Sequence, residues 1–301
     1  MNGTSTKIIL ADWGNSSGRL YCVRGSELDP EILDLQRVIG AKDTLDCAKV
    51  FEVAAKPWIK KYGVSEAYFC GAVASNIGWI TTEYAKVPAR ISDVQKTRLT
   101  TDYGLPCTFL SGTSIASGPH EFFDTARGED IQAFGWMALT GLSDGILCAP
   151  GTHTKWMTIR DGAIVSILTG VTGESFEVLN LHSILTRGAE NASHESPEFV
   201  RGTEAMQRNP RPALTHMLMA VRTRQLSAEM TAARSADYLS GLLTGEDCAA
   251  ALDMLPSGPV HIIGDGHAAT RYARAMLILG RDTQIHDGQA CVIAGLQTVR
   301  R

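Results

Sequence analysis

An α/β chain of two half-domains that repeat one plan is predicted by three observations. First, the apolar run Ile8-Ile9-Leu10-Ala11 leads through Asp12-Trp13-Gly14-Asn15-Ser16-Ser17-Gly18 to Arg19, and a second apolar strand, Leu20-Tyr21-Cys22-Val23, leaves for a turn at Gly25. Second, Ile146-Leu147-Cys148-Ala149 runs through Pro150-Gly151-Thr152-His153-Thr154 to Lys155, and Trp156-Met157-Thr158-Ile159 leaves for a turn at Asp161-Gly162. Third, each hairpin is followed by a further strand and then a helix, so the architecture recurs although the residues do not.

Taken in order, residues 31–39 alternate well enough for a third strand, ended by Gly40. Asp43 or Thr44 then caps a helix carrying Leu45, Ala48, Phe51, Ala55, Trp58 and Ile59 at helical spacing and stopping at Gly63. A buried strand, Tyr68-Phe69-Cys70-Gly71-Ala72-Val73, follows and enters the loop Ser75-Asn76-Ile77-Gly78-Trp79. Three meandering strands, a helix and another strand open a ribonuclease-H-like half-domain. Residues 88–106 read as irregular, 107–110 as one more strand, and a helix begins after Gly128 with Glu129 and Asp130 in its first turn.

The second half repeats this. After the hairpin, 163–168 is the third strand, and Thr169-Gly170-Val171-Thr172-Gly173-Glu174 leads into a helix from Ser175 to about Leu185. Residues 188–210 read as loop-rich, and from Arg211 to Leu255 the pattern is helical, with Tyr238, Leu239, Leu242 and Leu243 on one face. Val260-His261-Ile262-Ile263 breaks at Gly264-Asp265-Gly266 into a last pair of helices. The expected division is 1–128 and 129–301, with a helical insertion at about 196–256 in the second half-domain and a cleft shared between the halves.

The Gly turns carry the chemistry. Glycine permits positive φ and close approach of a ligand to the backbone. Successive N–H groups in such a turn form an anion site to which hydroxyls add donors. Two such turns, each followed by a cation, suit a polyphosphate. Ordinary β-hairpins are the plain alternative for either copy taken singly. Acidic residues at 129 and 130 complement a helix dipole, and a carboxylate placed there also suits a general base or metal-bound water. Ser75 and Asn76 offer hydrogen bonds to sugar hydroxyls or a carboxylate, with Trp79 either as a wall or as core.

A net charge of −4 over 301 residues argues against a general nucleic-acid binder. The seven cysteines are scattered without a Cys-x-x-Cys pair, which predicts buried free thiols in a reducing compartment. No charged-then-apolar leader and no run of membrane-spanning length is visible, so a cytoplasmic protein with no membrane partner is expected. Oligomeric state is left open.

Five stretches together resemble the 2-dehydro-3-deoxygalactonokinase family within the actin/hexokinase/Hsp70 superfamily. They are Asp12-Trp13-Gly14; Ser75-Asn76-Ile77-Gly78-Trp79 with Val87-Pro88-Ala89; Arg127-Gly128-Glu129; Pro150-Gly151-Thr152-His153-Thr154-Lys155-Trp156; and Tyr238-Leu239-Ser240-Gly241-Leu242-Leu243. The resemblance implies ATP- and Mg²⁺-dependent phosphorylation of the terminal hydroxyl of a 2-keto-3-deoxy-sugar acid. It implies Glu129 as catalytic base and Asp12 as organiser of Mg²⁺ and its waters. Gly14, Asn15, Ser16 and Arg19 would line the first phosphate loop, and Gly151, Thr152, His153 and Lys155 the second. Ser75, Asn76, Trp79 and Glu174 would contact the sugar acid, and Gly264, Asp265 and Gly266 the nucleotide. The same acidic helix start also fits a phosphohydrolase of the exopolyphosphatase type, which would release phosphate without any sugar acid. A nucleotide-switched assembly protein is the non-catalytic alternative.

Overall fold

A computed structural model describes residues 6–208, 210 and 212–300. The chain divides into two compact units. The first takes in the described residues up to Asp144, Ile159–Ile167 and the chain from Gly288 on; the second takes in Gly145–Thr158 and Leu168–Asp287.

In the first unit, β1 (Lys7–Trp13), β2 (Ser17–Arg24) and β3 (Glu31–Ile39) form an antiparallel meander. Ile8 to Ala11 are all fully buried, as a central strand requires. Helix α1 (Cys47–Tyr62) then returns the chain to β4 (Ala67–Cys70), parallel to β1. The helix begins later than the sequence suggests. Asp46, not Asp43 or Thr44, is its cap and accepts from Lys49 N at 2.9 Å, while Leu45 lies outside, fully exposed. Gly63 ends it in the left-handed conformation, as expected.

Within 88–106, expected to be irregular, lies β6 (Lys96–Thr100), and β7 (Pro106–Leu110) is the strand expected at 107–110; the short strands β5 (Tyr84–Lys86), β8 (Gly112–Ile115) and β9 (Asp124–Ala126) lie outside that stretch and were not expected. The main sheet runs β3-β2-β1-β4-β7-β6, and β5-β8-β9 form a small sheet of their own. The core beneath it holds Trp13, Phe51, Trp58, Phe69 and Phe109.

Helix α2 (Glu129–Thr140) follows, and the C-terminal helix α8 (Gly288–Arg300) packs directly on it. A Cβ on Gly135 would lie 1.7 Å from Cys291 O, and one on Gly295 2.0 Å from Ile131 O, so the two backbones touch. Both helices follow residue 128, yet they belong to the first unit.

The second sheet repeats the order of the first. It is built from β10 (Gly145–Ala149), β11 (Thr154–Arg160), β12 (Ala163–Gly170), β13 (Val260–Ile263) and β14 (Thr283–His286), ordered β12-β11-β10-β13-β14. Strands β10, β13 and β14 are parallel. Both sheets thus place a meander edge, a central first strand and two parallel strands beyond it, the ribonuclease-H-like arrangement predicted, and the first sheet adds β6 antiparallel at its far edge. The tip of the β11–β12 hairpin, 159–167, counts with the first unit, where Ala89 and Ile164 exchange hydrogen bonds of 2.9 and 2.8 Å.

Helix α3 (Thr172–His182) starts three residues before the position expected. The region expected to be loop contains α4 (Pro197–Glu204), capped by Ser196 and burying Phe199 and Thr203. The single helical run expected from Arg211 is two helices, α5 (Leu214–Leu226) and α6 (Ser235–Met254); Arg211 itself lies outside the described residues, as do residues 1–5. Helix α6 is buried on all sides from Ser235 to Gly245, because α3, α5 and α7 pack on it and α4 crosses it at Gly202 and Gly241. Helix α7 (Gly266–Ile278) lies between β13 and β14 in sequence.

Candidate active site

In the first unit three chain segments converge. Asp12 is the penultimate residue of β1, opposite Arg19 on β2 and Cys70 on β4 in the sheet register. Its carboxylate pairs with the Arg19 guanidinium at 3.4 Å. After Cys70 the chain turns at Gly71, whose φ of +92° and whose missing Cβ, which would sit 2.6 Å from Trp13 O, admit only glycine. Gly128 has φ +108°, and a Cβ there would lie 3.3 Å from Gly71 Cα and 3.8 Å from Asp12 Oδ1. Two facing glycines therefore let the start of α2 come up beside Asp12.

The two carboxylates at that helix start have different environments. Glu129 is half-buried, and its Oε2 accepts from Arg127 N at 3.1 Å. Asp130 is fully buried; its Oδ1 accepts from Gly128 N at 2.8 Å and Ile131 N at 2.9 Å, while Oδ2 has no partner. Burial pushes the Asp130 carboxyl up to about 7, opposed by the Gly128 amide and reinforced by the Glu129 charge. Burial, and after it the charges of Asp12, Asp130 and Glu129, raise the Cys70 thiol well above its ordinary value.

Arg127 ties the 74–82 segment to this helix start. Its guanidinium donates to Ala74 O, to Thr82 Oγ1 at 2.5 Å and to Thr82 O at 3.3 Å, and lies 4.2 Å over the Tyr84 ring. Within that segment Asn76 is exposed, whereas the Ser75 hydroxyl donates to Ala72 O at 2.7 Å. Trp79 sits in the aromatic core, edge-on to Phe69 and Phe109 with centroids 5.7 and 5.2 Å away. In the first turn, Gly14 N donates to Ser17 O at 3.0 Å, and Asn15 and Ser16 are exposed.

In the second unit the 150–155 loop is gripped from α3. A Cβ on Gly173 would lie 2.3 Å from Gly151 O, and Glu174 N donates to Thr152 O at 3.0 Å. His153 Nε2 and Glu174 Oε2 are 2.6 Å apart, so two residues expected to serve different ligands form one pair. Gly151 and Thr152 are exposed, while the nearly buried Lys155 donates to Thr169 Oγ1 at 2.8 Å. The Gly264-Asp265-Gly266 turn stands beside this loop, with a Gly264 Cβ placed 3.7 Å from Pro150 Cδ. Asp265 and Gly266 are exposed at the start of α7.

Sequence reasoning missed Asp247. Its Oδ1 accepts from Trp156 Nε1 at 2.9 Å, and its Oδ2 from Thr172 Oγ1 at 2.7 Å and Tyr272 Oη at 2.5 Å. Its chain neighbour Cys248 and Ala251 on the same helix lie in the core, and an acid beside them was the available signal.

The doubled sheet order gives the chain an actin/hexokinase/Hsp70-like fold. The chain belongs to the 2-keto-3-deoxy-galactonokinase family, whose sequence profile matches residues 12–299. A probable 2-dehydro-3-deoxygalactonokinase of Rhizobium meliloti (strain 1021) is 30% identical over 304 residues, covering 96% of this chain and 95% of that one. The 2-dehydro-3-deoxygalactonokinase of Escherichia coli (strain K12) is 25% identical, with 98% of each covered. The crystal structure of a candidate 2-dehydro-3-deoxygalactonokinase from Sinorhizobium meliloti superposes with a TM-score of 0.84 at 28% identity, covering 98% of this chain and 96% of that one. For fold alone, the activator of the 2-hydroxyisocaproyl-CoA dehydratase from Clostridium difficile matches with a TM-score of 0.54 at 10% identity over 98% of this chain and 94% of that one. Among the described residues no helix is long and apolar enough to cross a membrane.

Proposed function

We propose that this kinase transfers the γ-phosphoryl group of ATP to the terminal (C6) hydroxyl of 2-dehydro-3-deoxy-D-galactonate, giving the 6-phosphate in galactonate catabolism. The observation that carries the chemistry is the approach of the helix start at Gly128-Glu129 to Asp12, where a Gly128 Cβ would lie 3.8 Å from Asp12 Oδ1, with Arg19 paired to Asp12. Phosphoryl transfer asks mainly for positioning and charge stabilisation, with a base for the acceptor hydroxyl. Glu129 is the base, because it is half-exposed at a helix start whereas Asp130 is sealed. Ser75 and Asn76 contact the sugar acid on a loop whose position Arg127 sets, and Trp79 supports that loop from the core. Glu174, paired with His153, is a further contact for the sugar acid.

Gly14, Asn15, Ser16 and Arg19 form one phosphate loop; Gly151, Thr152, His153 and Lys155 form the other, with Gly264, Asp265 and Gly266 on the nucleotide side. The donors near Asp12 are carboxylate oxygens, and among the described residues no cluster of three protein ligands makes a metal cage. That fits Mg²⁺, which binds through one or two carboxylates, waters and substrate phosphates. Bound there, Mg²⁺ would neutralise phosphate charge while Asp12 orients its waters.

The test is a coupled ADP-release assay with Mg-ATP and a panel of 2-keto-3-deoxygalactonate, its gluconate epimer, galactonate and no sugar. Turnover confined to the keto-deoxy acids supports the proposal. Equal ADP release with and without sugar overturns it in favour of a phosphohydrolase.

A further inference from the structure

The hydrogen bonds around Asp247 have a direction. A phenol carries one proton, and Tyr272 is within 2.5 Å of Asp247 Oδ2 and 2.7 Å of Thr154 Oγ1. A carboxylate can only accept, so Tyr272 donates to Asp247 and Thr154 donates to Tyr272. Thr172 donates to the same oxygen and the Trp156 indole, which has no acceptor, to the other. Four side chains from β11, α3 and α7 thus have their protons aligned toward one carboxylate on α6.

These anchors bracket the second Gly loop. Thr154 and Trp156 flank Lys155 on β11, and strand alternation sends Lys155 to the other face, where it meets Thr169. Thr172 opens α3, whose next two residues, Gly173 and Glu174, grip Gly151 and Thr152. A Cβ on Gly170 would lie 2.8 Å from Asp247 Oδ1, so the backbone leading into α3 is also moulded to the carboxylate. Asp247 and the four side chains around it, Thr154, Trp156, Thr172 and Tyr272, have no role of their own in the proposed chemistry.

We infer that Asp247 is a positioning residue that locks β11 and the start of α3 into one frame and so holds the 150–155 loop in its ligand-binding shape. In its functional consequence this rests on the reading of that loop as a phosphate site. Asp247→Asn keeps the size of the side chain but replaces one acceptor oxygen by a donor, leaving a hydroxyl or the indole facing N–H instead of O.

The experiment compares wild type, Asp247→Asn, Thr172→Val and Tyr272→Phe in the ADP-release assay, with amide hydrogen exchange over 150–156 and 170–176 followed without ligand. Asp247→Asn is expected to raise KM for Mg-ATP about tenfold or more with KM for the sugar acid unchanged, and to speed exchange of the Glu174 amide. The two single-donor variants should show the same split at smaller size, and they carry the test if Asp247→Asn does not fold. Equal changes in both KM values, or unchanged exchange at Glu174, would overturn the inference. Faster exchange at Glu174 with no ADP release even from wild type would uphold the positioning while removing the kinase reading.

Discussion

At the scale of single residues, adjacent carboxylates on one helix turn have been given opposite tasks by burial. Glu129 keeps one oxygen on the Arg127 amide and remains half-exposed. Glutamine can make that same contact, so Glu129→Gln should fold normally, bind Mg-ATP as wild type does and lose about 10²–10⁴-fold in kcat. Near-normal turnover would remove Glu129 from the role of base. Asp130 instead holds its proton to about pH 7 when folded, whereas an unfolded aspartate releases it near about 3.9. Between those values the unfolded chain binds fewer protons, so stability falls as pH rises through that window, by at most about 1.4 kcal/mol per pH unit. Asp130→Asn retains an acceptor for the Gly128 and Ile131 amides and removes the titration. Urea melts of the two proteins at several pH values should therefore diverge in the variant's favour as pH rises; parallel curves would show that Asp130 is ionised throughout.

At the scale of elements, glycine decides where helices may lie. Helices α2 and α8 touch through Gly135 and Gly295, and α4 and α6 through Gly202 and Gly241. A valine at 295 would drive its Cβ onto the Ile131 carbonyl, so Gly295→Val should destabilise the first unit by about 3 kcal/mol or more, read as a lower midpoint in thermal or denaturant unfolding. An unchanged midpoint would mean the helices can separate freely. These same contacts explain what the sequence hid. Helix α6 is wrapped on every side, so only part of its buried surface reads as a stripe. Helix α4 buries little besides Phe199, Gly202 and Thr203, in a stretch whose composition resembles loop. The hairpins were legible because apolar runs, turn glycines and a second copy agreed.

For the whole molecule, the repeated sheet order was legible from the paired hairpins, and the order of the short stretches pointed to the family. The site was legible only where residues are local in sequence. Asp12, Gly14 and Glu129 stand in recognisable motifs, but the opposition of Gly71 to Gly128 and the convergence on Asp247 are products of folding. The cysteines, expected to be buried, are buried in all seven cases, and they report on both units. Burial raises Cys22 to about 11 and Cys107 to about 12 in the first, and lifts Cys148 and Cys248 well above the ordinary thiol range in the second. Such thiols react through opening of the structure rather than from the native state. A disulfide reagent should accordingly titrate almost none of them in the native protein and all of them in denaturant. A ligand that binds only the closed form slows opening-limited labelling by the factor 1 + [L]/Kd, about 100-fold at 100 Kd. Cys148 lies two residues before Pro150, and Cys248 follows Asp247. Mg-ATP should therefore protect these two by that factor, measured residue by residue by mass spectrometry. Unchanged labelling at both, in an enzyme that turns over ATP, would place the nucleotide away from the 150–155 loop.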